Sequence, residues 1–521
     1  MKEINQNQPV VLVICDGLGY APAGPGNAVN AAPMNFFNNL LQHYPAAYLA
    51  AAGEAVGLLP GFIGNSQVGH LTIGAGRVVK SSIAQFHELV LSGQIFDHSA
   101  AAGLSDFART GKTLHILGLL SDGGVHSHEL HLYGMLDLAV HCGVKNIVVH
   151  PILDGRDVAQ LSAATYLERL EKKLHALATG KIGSLQGRFY AMDRDKNWER
   201  TVLSYQMMCG LGNIKDSSWR YVLAESYERN ETDEFVRPLL FGQENALQDG
   251  DAVVFVNVRP DRAMQLTTLL LCQEVQRINK VTQRAFAFVL TGSRYSAALH
   301  NPVIFEQESV RDTFLDVVEV AQPERPIFLL AETEKYAHVT YFFKGMRDQH
   351  SGKETRIMIP SLKERNYIAH PEMAAASITD ELEKILDQHP GALCVVNYAN
   401  ADMVGHSGDL AATASACRVL DQQLVRVYKG VVEKHDGLLV ITADHGNAEA
   451  MVDHDGNPKT AHTKNSVPFV MVASHLRHET VHEPIDCTYN KGVAFVAPTL
   501  LQQMGIERPL AMVEPLFLRN E

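Results

Sequence analysis

Short apolar runs rich in β-branched residues alternate along this chain with longer amphipathic segments. The runs include residues 10–15, 114–119, 147–149, 253–258, 393–397 and 438–442. Each has the length and composition of a buried strand, and most are followed by small or polar residues. Segments between them, such as residues 161–177 and 418–432, carry apolar side chains three and four positions apart, as helices packed on a sheet do. The alternation predicts an α/β protein with largely parallel sheets.

Length and charge narrow the class further. A chain of 521 residues, 46% hydrophobic and 20% charged, favours an ordinary globular protein of more than one domain. The formal net charge of −13 argues against nonspecific binding to nucleic acid, which needs a basic surface. A small anionic ligand stays compatible with this charge, because a local arginine cluster can reverse the electrostatic field within one cleft.

The cysteines and the N-terminal stretch indicate the compartment. The seven cysteines form no C-x-x-C pair and are typical of reduced thiols in a protein core. The stretch MKEINQNQP is polar, and the apolar run at residues 10–15 is too short for a signal peptide or a membrane span. We therefore expect a soluble cytoplasmic protein without a membrane partner.

Polar residues directly after predicted strands deserve the most weight, because functional loops of open α/β sheets lie beyond the carboxyl ends of the strands. Here these residues are Asp16, the segment 122–128, Asp154, Arg156, Asp157, Arg259, Arg262, Asp402, His406, Asp444 and His445. They divide into a group rich in Asp and His and a group rich in Arg.

The first group has the composition of a metal site. Its members are Asp402 and His406 in NYANADMVGH, Asp444 and His445 in ITADHGNAE, and His462 in KTAHTKN. Imidazole and carboxylate without thiolate suit Mn²⁺ or Zn²⁺. The adjacent Asp444 and His445 can share one ion only from a turn, which the following glycine permits. A single such histidine is more often a surface or core residue, but the grouping favours a metal site.

The second group has the composition of an anion site. The segments LDGRDV, GRFYAMDRD and NVRPDRA supply Arg156, Arg188, Arg194, Arg259 and Arg262. Guanidinium groups bind phosphate and carboxylate through two parallel hydrogen bonds. Each arginine also lies near an aspartate in the sequence, so ordinary surface ion pairs are the alternative interpretation.

The segment GNSQVGH contains Ser66 between small and polar residues. A lone serine in a glycine-rich stretch is usually a turn residue, and the segment matches neither a G-x-S-x-G elbow nor a P-loop. The predicted metal site changes this assessment, because a metal ion lowers the pKa of a hydroxyl and stabilises phosphoryl oxygens.

Several segments together resemble one known family. CDGLGY, GNSQVGHLTIGAGR, SDGGVHSH, LDGRDV, GRFYAMDRDKNWER, NVRPDRA, AETEKYAHVT, NYANADMVGH, ADHGNAE and HTKNSVPF closely resemble the signature segments of cofactor-independent (2,3-bisphosphoglycerate-independent) phosphoglycerate mutases. They occur in the family's order and extend from near the N-terminus to about residue 470. The resemblance therefore covers nearly the whole chain.

The resemblance implies a fold and a domain organisation. It implies an alkaline-phosphatase-like metal domain, discontinuous over residues 1–79 and 312–521. A second α/β domain, carrying the arginines and binding the substrate for transfer, would be inserted at residues 80–311.

The resemblance also implies roles for individual residues. One metal ion would take Asp402, His406 and His462, and the other would take Asp16, Ser66, Asp444 and His445. Ser66 would be the nucleophile, and Lys335 would offset the charge of the transferring phosphoryl group. The phosphoglycerate would be held by His126, Arg156, Asp157, Arg188, Arg194, Arg259, Arg262 and Lys335. Asp157 is the best candidate for a general base, since arginines around a carboxylate keep it ionised.

The activity implied is the interconversion of 3-phosphoglycerate and 2-phosphoglycerate through a phosphoserine, without 2,3-bisphosphoglycerate. This is an isomerase step of glycolysis and gluconeogenesis. The resemblance implies two divalent ions, Mn²⁺ first and Zn²⁺, Mg²⁺ or Co²⁺ as alternatives, and a monomeric protein. The rival interpretations are a phosphatase or phosphopentomutase of the same superfamily, and an inactive paralogue serving as a binding module.

A few positions depart from the family's usual pattern. They are Gln67 for glutamate, Ala401 for proline, Met264 for arginine, and the segment 366–370. No departure falls on a residue implied as a metal ligand or nucleophile, so the reaction class is expected to be unaffected.

Overall fold

The structure, a computed structural model, describes residues 4–306, 309–348, 352–363, 366–453, 455–478 and 480–517. The chain forms two compact units: a discontinuous unit made of Met1–Ser81 and Ser309–Glu521, and an inserted unit made of Ser82–Glu308. Each unit contains a sheet of eight strands together with several helices. The predicted α/β class is confirmed.

The strands of the described residues share the short length expected of buried sheet strands. They are β1 Val10–Cys15, β2 Ala46–Leu49, β3 Leu114–Leu119, β4 Ile147–Leu153, β5 Lys181–Ile182, β6 Ser184–Gly187, β7 Leu239–Leu240, β8 Ala252–Phe255, β9 Phe288–Ser293, β10 Val303–Phe305, β11 Ile327–Glu332, β12 Glu354–Ile359, β13 Leu393–Tyr398, β14 Leu438–Thr442, β15 Val467–Val472 and β16 Ile485–Asp486.

The α-helices of the same residues are mostly one to four turns long. They are α1 Ala28–Ala31, α2 Asn35–His43, α3 Ser66–Ala75, α4 Ser82–Leu91, α5 Ala100–Ala108, α6 Glu129–His141, α7 Ala163–Leu177, α8 Arg188–Ala191, α9 Trp198–Met208, α10 Trp219–Glu228, α11 Pro260–Leu271, α12 Gln273–Ile278, α13 Phe314–Ala321, α14 Ala375–Gln388, α15 Asn400–Gly405, α16 Leu410–Tyr428 and α17 Val496–Gln503. Over the described ranges, no helix combines the length and apolarity needed to cross a bilayer.

The sheet of the discontinuous unit has the strand order β12-β11-β13-β1-β14-β15-β2-β16. The strands from β12 to β14 are parallel, whereas β15 pairs antiparallel with both β14 and β2. The central strand β1 is buried at every residue. This explains why its sequence VVLVIC is apolar throughout instead of alternating, as strands covered on both faces are.

The registers of the central strands bring their carboxyl ends to one edge of the sheet. The ladder between β1 and β13 extends to the last residue of both strands, and the ladder between β1 and β14 extends to the last residue of β14. Asp16, Asp402 and Asp444 all follow these ends within a few residues. The strand-end rule applied to the sequence therefore selects residues that become neighbours.

The sheet of the inserted unit has the strand order β10-β9-β8-β3-β4-β6-β7, with β5 paired to β4. Its neighbouring strands are parallel except for β6 and β7. The arginine-bearing segments LDGRDV and NVRPDRA leave the carboxyl ends of β4 and β8. Largely parallel sheets, as predicted, thus occur in both units.

Several predicted boundaries are wrong. The strand predicted at residues 147–149 extends to Leu153, and the helix predicted at residues 161–177 begins at Ala163. The strand predicted at residues 253–258 ends at Phe255, and beyond it the Val258 amide donates to the His126 carbonyl outside the sheet ladders. The helix predicted at residues 418–432 begins at Leu410, because the Asp409 side chain accepts a hydrogen bond from the Ala412 amide and caps the helix there. Its last turn, Lys429–Lys434, is a π-helix.

A chain of buried polar side chains crosses the sheet of the inserted unit from β8 to β6. His115 Nε2 lies 3.3 Å from Asp251 Oδ2, and His115 Nδ1 lies 2.9 Å from His150 Nε2. His150 Nδ1 in turn lies 2.9 Å from Ser184 Oγ. All four residues are buried, so these contacts satisfy polar groups that water cannot reach.

Candidate active site

Carboxylates converge on one ammonium group at the edge of the discontinuous unit's sheet. Asp16, Asp402 and Asp444 are at most 2% exposed. Lys335, in the turn after β11, places Nζ 2.6 Å from Asp16 Oδ1 and 2.5 Å from Asp402 Oδ2. Burial opposes the charge on Lys335, but the surrounding carboxylates outweigh it and raise the Lys335 pKa above its ordinary value. One ammonium among three carboxylates leaves a surplus of negative charge that favours further cations.

Ser66 lies within this cluster at the first position of α3. Asn65 caps the helix by accepting a hydrogen bond from the Val68 amide, which holds Ser66 at the helix N-terminus. Ser66 Oγ donates to Asp16 Oδ1 at 3.2 Å and accepts from Lys335 Nζ at 2.8 Å. A helix N-terminus and an ammonium group both favour an anion at this hydroxyl. Ser66 is buried and begins a helix, so the interpretation as an ordinary turn residue is wrong.

Three histidines present the same ring nitrogen to the carboxylates. The Nδ1 atoms of His406, His462 and His445 lie 2.7, 2.9 and 3.3 Å from the backbone carbonyls of Thr460, Gly64 and Gly446. A neutral imidazole that donates from Nδ1 carries its lone pair on Nε2, which is the arrangement of histidines that bind metals. These hydrogen bonds to the backbone thus leave the Nε2 lone pairs of all three histidines available to bind a metal ion.

The Nε2 atoms of His406 and His462 lie only 3.0 Å apart. They are 3.3 and 3.2 Å from Asp402 Oδ1, so three lone pairs meet at one point. Such a meeting is unfavourable without a cation between the atoms. The same attraction for positive charge raises the pKa of His406, chiefly through the hydrogen bond with Asp402 and against the effect of burial. These residues fit a divalent metal ion.

Asp16, Asp444, Ser66 and His445 form a second grouping with metal-ligand chemistry. His445 Nε2 lies 3.5 Å from both Asp16 Oδ1 and Asp444 Oδ2, and 3.0 Å from Ser66 Oγ. Asp444 Oδ2 is buried, and its polar contacts among the described residues, such as His70 Nδ1 at 3.1 Å, leave it without a hydrogen bond of good geometry, so it can still bind a cation. Burial lowers the pKa of His445, which keeps the ring neutral and able to bind a metal.

The seven residues named from the sequence as metal ligands therefore lie in one cluster. The ring of His445 stacks on that of His462 at 3.9 Å, which joins the two groupings. Lys335, named as a phosphoryl neighbour, contacts Ser66 directly.

Residues that the sequence did not single out tie the loops of this cluster together. Asn447 Nδ2 donates to Asp402 Oδ1 at 2.9 Å. Glu449, 2% exposed, accepts from the backbone amides of Gly19 and Asn447 and from the Asn465 side chain. Both residues belong to ADHGNAE, directly after Asp444 and His445. Their polar character at this position could have indicated from the sequence that they support the ligands.

Arginines cluster in the inserted unit. Burial lowers the pKa of Arg262, and the charges of Arg194, Arg188 and Arg156 lower it further. The pKa of His126 is lowered to about 3, chiefly by burial and next by the positive charges of Arg188 and Arg259. Like charges act in this way only at short range, so the predicted arginines and His126 share one neighbourhood.

Four of these arginines are also ion-paired, so the contacts given as the alternative interpretation are present. Arg188, 2% exposed, places Nη1 2.6 Å from Asp154 Oδ1 and 2.7 Å from Asp157 Oδ2. Arg194 and Arg259 both contact Asp261, at 3.2 and 2.9 Å. Arg156 is more than half exposed and lies 3.4 Å from Glu234.

Burial affects Asp157 in a way that the sequence does not reveal. The sequence suggested that the arginines around this carboxylate keep it ionised. Burial and then the neighbouring Asp154 raise the Asp157 pKa, and the opposing effect of Arg188 is smaller. A raised pKa brings a carboxylate nearer to the range that suits a general base at neutral pH.

The departures from the family pattern occupy varied positions. Gln67 and Met264 are exposed, and Ala401 is buried. In the segment 366–370, Tyr367 is buried and donates to Glu334 at 3.0 Å, next to Lys335 in sequence. Segment 366–370 thus contacts a neighbour of the cluster without supplying a ligand.

Comparisons with known proteins agree with one another. A family model described as the N-terminus of BPG-independent PGAM matches residues 87–297. The chain is 40% identical over 511 residues to a 2,3-bisphosphoglycerate-independent phosphoglycerate mutase from Moorella thermoacetica, covering 97% of both chains. It is 41% identical over 514 residues to one from Clostridium novyi, covering 97% of this chain and 98% of the other. A solved phosphoglycerate mutase from Leishmania mexicana, described at low cobalt concentration, matches with a TM-score of 0.72 and 29% identity over 98% of this chain and 97% of the other.

Proposed function

The chain belongs to the 2,3-bisphosphoglycerate-independent phosphoglycerate mutases, and on that premise we propose that it interconverts 3-phosphoglycerate and 2-phosphoglycerate through a phosphoserine on Ser66. No 2,3-bisphosphoglycerate takes part. The observation that carries the proposal is the position of Ser66 Oγ, which is buried at the N-terminus of α3 and 2.8 Å from Lys335 Nζ. A serine in this setting can accept an anionic group.

The discontinuous unit is proposed as the metal-bearing, phosphatase-like domain, bounded by residues 1–79 and 312–521. Two divalent ions would be held there, one by Asp402, His406 and His462 and the other by Asp16, Ser66, Asp444 and His445. When bound, they would neutralise the carboxylates, activate the serine hydroxyl and polarise the phosphoryl oxygens. Mn²⁺ is the first choice for this donor set, which would also accept Zn²⁺, Mg²⁺ or the Co²⁺ named for the Leishmania mexicana structure.

In the first half-reaction, Ser66 Oγ forms a bond to phosphorus while the bond from phosphorus to the glycerate oxygen breaks. The hydrogen bond from Ser66 Oγ to Asp16 Oδ1 supports Asp16 as the first acceptor of the hydroxyl proton. Lys335 Nζ, next to Oγ, would offset the charge on the transferring group. The departing glycerate oxygen regains a proton, so serine is phosphorylated and glycerate is free.

In the second half-reaction the other glycerate hydroxyl oxygen forms a bond to phosphorus while the bond from phosphorus to Ser66 Oγ breaks, and Oγ regains its proton. The inserted unit, proposed as the substrate-binding transferase domain at residues 80–311, would hold glycerate through its arginines and His126. Asp157 would accept the proton of the attacking hydroxyl, and its raised pKa supports that role. A monomeric protein in the cytoplasm completes the proposal, and light scattering tests the monomer.

A coupled assay with enolase tests the reaction. We expect turnover of 3-phosphoglycerate without added bisphosphoglycerate, loss of turnover on chelation, and recovery with Mn²⁺. Release of inorganic phosphate in place of 2-phosphoglycerate would identify a phosphatase instead.

Phosphopeptide mapping tests the covalent step. After incubation with 3-phosphoglycerate and an acid quench, phosphate should be found on Ser66. Ser66→Ala should lower turnover by a factor on the order of 10³ or more without changing the fold. Ser92→Ala, which alters an exposed serine after α4, is the matched control and should keep parental turnover. Substantial turnover by Ser66→Ala rules out the phosphoserine route.

A further inference from the structure

His70 lies behind the proposed metal ligands. It is fully buried on α3, one helical turn after Ser66. Its Nδ1 lies 2.9 Å from the Ser66 carbonyl oxygen and 3.1 Å from Asp444 Oδ2. Its Nε2 lies 3.0 Å from Asn397 Nδ2, near the end of β13. Both ring nitrogens therefore have defined neighbours.

The orientation of the Asn397 amide follows from Asp16. Asn397 Nδ2 lies 2.8 Å from Asp16 Oδ2, and an ionised carboxylate only accepts hydrogen bonds. The atom facing Asp16 is therefore the amide nitrogen, because the flipped amide would bring two oxygens together. The second hydrogen of that nitrogen is donated to His70 Nε2.

The orientation of Asn397 in turn fixes the tautomer of His70. Since Nε2 accepts a hydrogen bond, the proton of the neutral ring is on Nδ1. Nδ1 donates it to the Ser66 carbonyl, with Asp444 Oδ2 nearby. His70 also lies with Asp16 and Asp444 in a grouping that could hold a metal. Because Nδ1 is protonated and Nε2 is occupied, His70 is excluded as a ligand there.

The contacts form a continuous path from Asp444 through His70 and Asn397 to Asp16. On Asp16, Asn397 anchors Oδ2, which leaves Oδ1 facing Ser66 and Lys335. On Asp444, the Gly17 and His445 amides anchor Oδ1, which leaves Oδ2 toward the cluster. One oxygen of each carboxylate is thereby held and the other is directed to the site.

We propose that His70 and Asn397 are positioning residues that hold Asp16, Asp444 and the Ser66 backbone in the geometry needed by one of the two metal ions. The inference rests on the proposed function for the ligand set itself. Partners of this kind, one shell behind the ligands, change metal affinity by about 10- to 100-fold when removed.

Metal binding by the full chain tests the proposal directly. Mn²⁺ affinity and stoichiometry are measured by competition with a chromophoric chelator for the parent, His70→Leu, His70→Asn and Asn397→Leu. His70→Leu and Asn397→Leu should each weaken one Mn²⁺ site by about 10- to 100-fold and leave the other unchanged. His70→Asn should retain most of the affinity, because its amide nitrogen can take the place of the Nδ1 donor.

Kinetics separate positioning from general damage. At saturating Mn²⁺, kcat of His70→Leu should recover while KM for 3-phosphoglycerate stays parental. Equal affinities in the parent, His70→Leu and Asn397→Leu would overturn the proposal, as would a His70→Asn variant as weak as His70→Leu. If His70→Leu does not fold, His70→Asn and Asn397→Leu still decide the question. A parent that binds fewer than two Mn²⁺ ions contradicts the proposed function instead, so the two failures are distinguishable.

Discussion

The two units use the same architecture and place opposite charges at the ends of their strands. In the discontinuous unit, three buried carboxylates share the single ammonium of Lys335. In the inserted unit, the five predicted arginines outnumber their four carboxylate partners among the described residues. Burial lowers the Arg262 pKa, and the charges of the neighbouring arginines lower it further. Parallel strands supply the position in both cases, and the residue type at the strand ends decides whether cations or anions are attracted.

The two clusters also differ in exposure. The carboxylates of the discontinuous unit are almost wholly buried, whereas Arg156, Arg194 and Arg259 are each more than two-fifths exposed. Removing a buried charge leaves its partner without compensation, while removing an exposed charge mainly weakens ligand binding. The comparison therefore predicts different consequences for substitutions in the two units.

The largest effect is expected for Lys335→Met in metal-free protein. Without the ammonium, Asp16 and Asp402 face each other uncompensated, so the free energy of unfolding should fall by about 3–5 kcal/mol. Mn²⁺ should restore most of the loss by replacing the missing positive charge. Urea unfolding with and without Mn²⁺ measures both quantities.

Lys344→Met is the matched control for Lys335→Met. Lys344 is equally buried but pairs with Glu354, which belongs to no metal grouping among the described residues. Its loss should not be repaired by Mn²⁺. If Mn²⁺ stabilises the two variants alike, the carboxylate cluster is not what creates the demand for cations.

For Arg188→Met, the free energy of unfolding should fall by about 3 kcal/mol, less than for Lys335→Met. The loss is smaller because Asp157, one of the two partners of Arg188, is slightly exposed. Trp198 and Trp219 both lie in the inserted unit, so tryptophan fluorescence follows the unfolding of that unit alone. Arg109→Met, which removes a pair exposed on both sides, should leave the transition unchanged. A parental transition for Arg188→Met would contradict the buried bridge between Asp154 and Asp157.

Arg156→Ala should separate binding from stability. Its exposed contact with Glu234 contributes less than about 1 kcal/mol to folding. A lost charge-assisted contact to the substrate should cost about 1.5–3 kcal/mol, measured as a rise in KM or a fall in kcat/KM. Arg237→Ala, a similarly exposed arginine paired with Glu231, should change neither. Parental kinetics for Arg156→Ala would remove this residue from the substrate site.

The last effect concerns the stability of the inserted unit in acid. Burial, and then the neighbouring His87, lowers the pKa of His128 from 6.5 to about 4. The unfolded chain therefore takes up a proton before the folded one, so stability is intact above about pH 6.5 and declines as the pH falls toward 4. His128→Asn removes this titration while an asparagine can still cap α6 as the His128 ring does. Tryptophan-monitored unfolding between these pH values should show a shallower decline for the variant, and identical slopes would contradict the assignment.

Much of the site could be predicted because its ligands follow strands directly. Asp16, Asp402 and Asp444 are the first charged residues after β1, β13 and β14, and their residue types suit a metal. The family resemblance supplied the grouping of these residues into sets. The inexact element boundaries reflect local contacts, such as the cap at Asp409, that periodicity does not register.

The remainder depends on packing between distant parts of the chain. His70 acquires its role by meeting Asn397, a residue 327 positions away, and nothing in either local sequence indicates that meeting. The Asp157 pKa could not be predicted either, because the adjacent arginines are visible in the sequence but the burial that outweighs them is not.

The buried path from Asp251 to Ser184 has a direction as well as a position. Although burial opposes it, the hydrogen bond from His115 lowers the Asp251 pKa, so the carboxylate is ionised and must accept. His115 then donates from Nε2 and accepts at Nδ1 from His150, whose own Nδ1 accepts the hydroxyl proton of Ser184. Each hydrogen bond on the path is donated in the direction of Asp251. If one strand were out of register, the donors and acceptors would no longer meet. The two ring protons should therefore give strongly shifted, slowly exchanging magnetic resonance signals that mark the correctly assembled sheet.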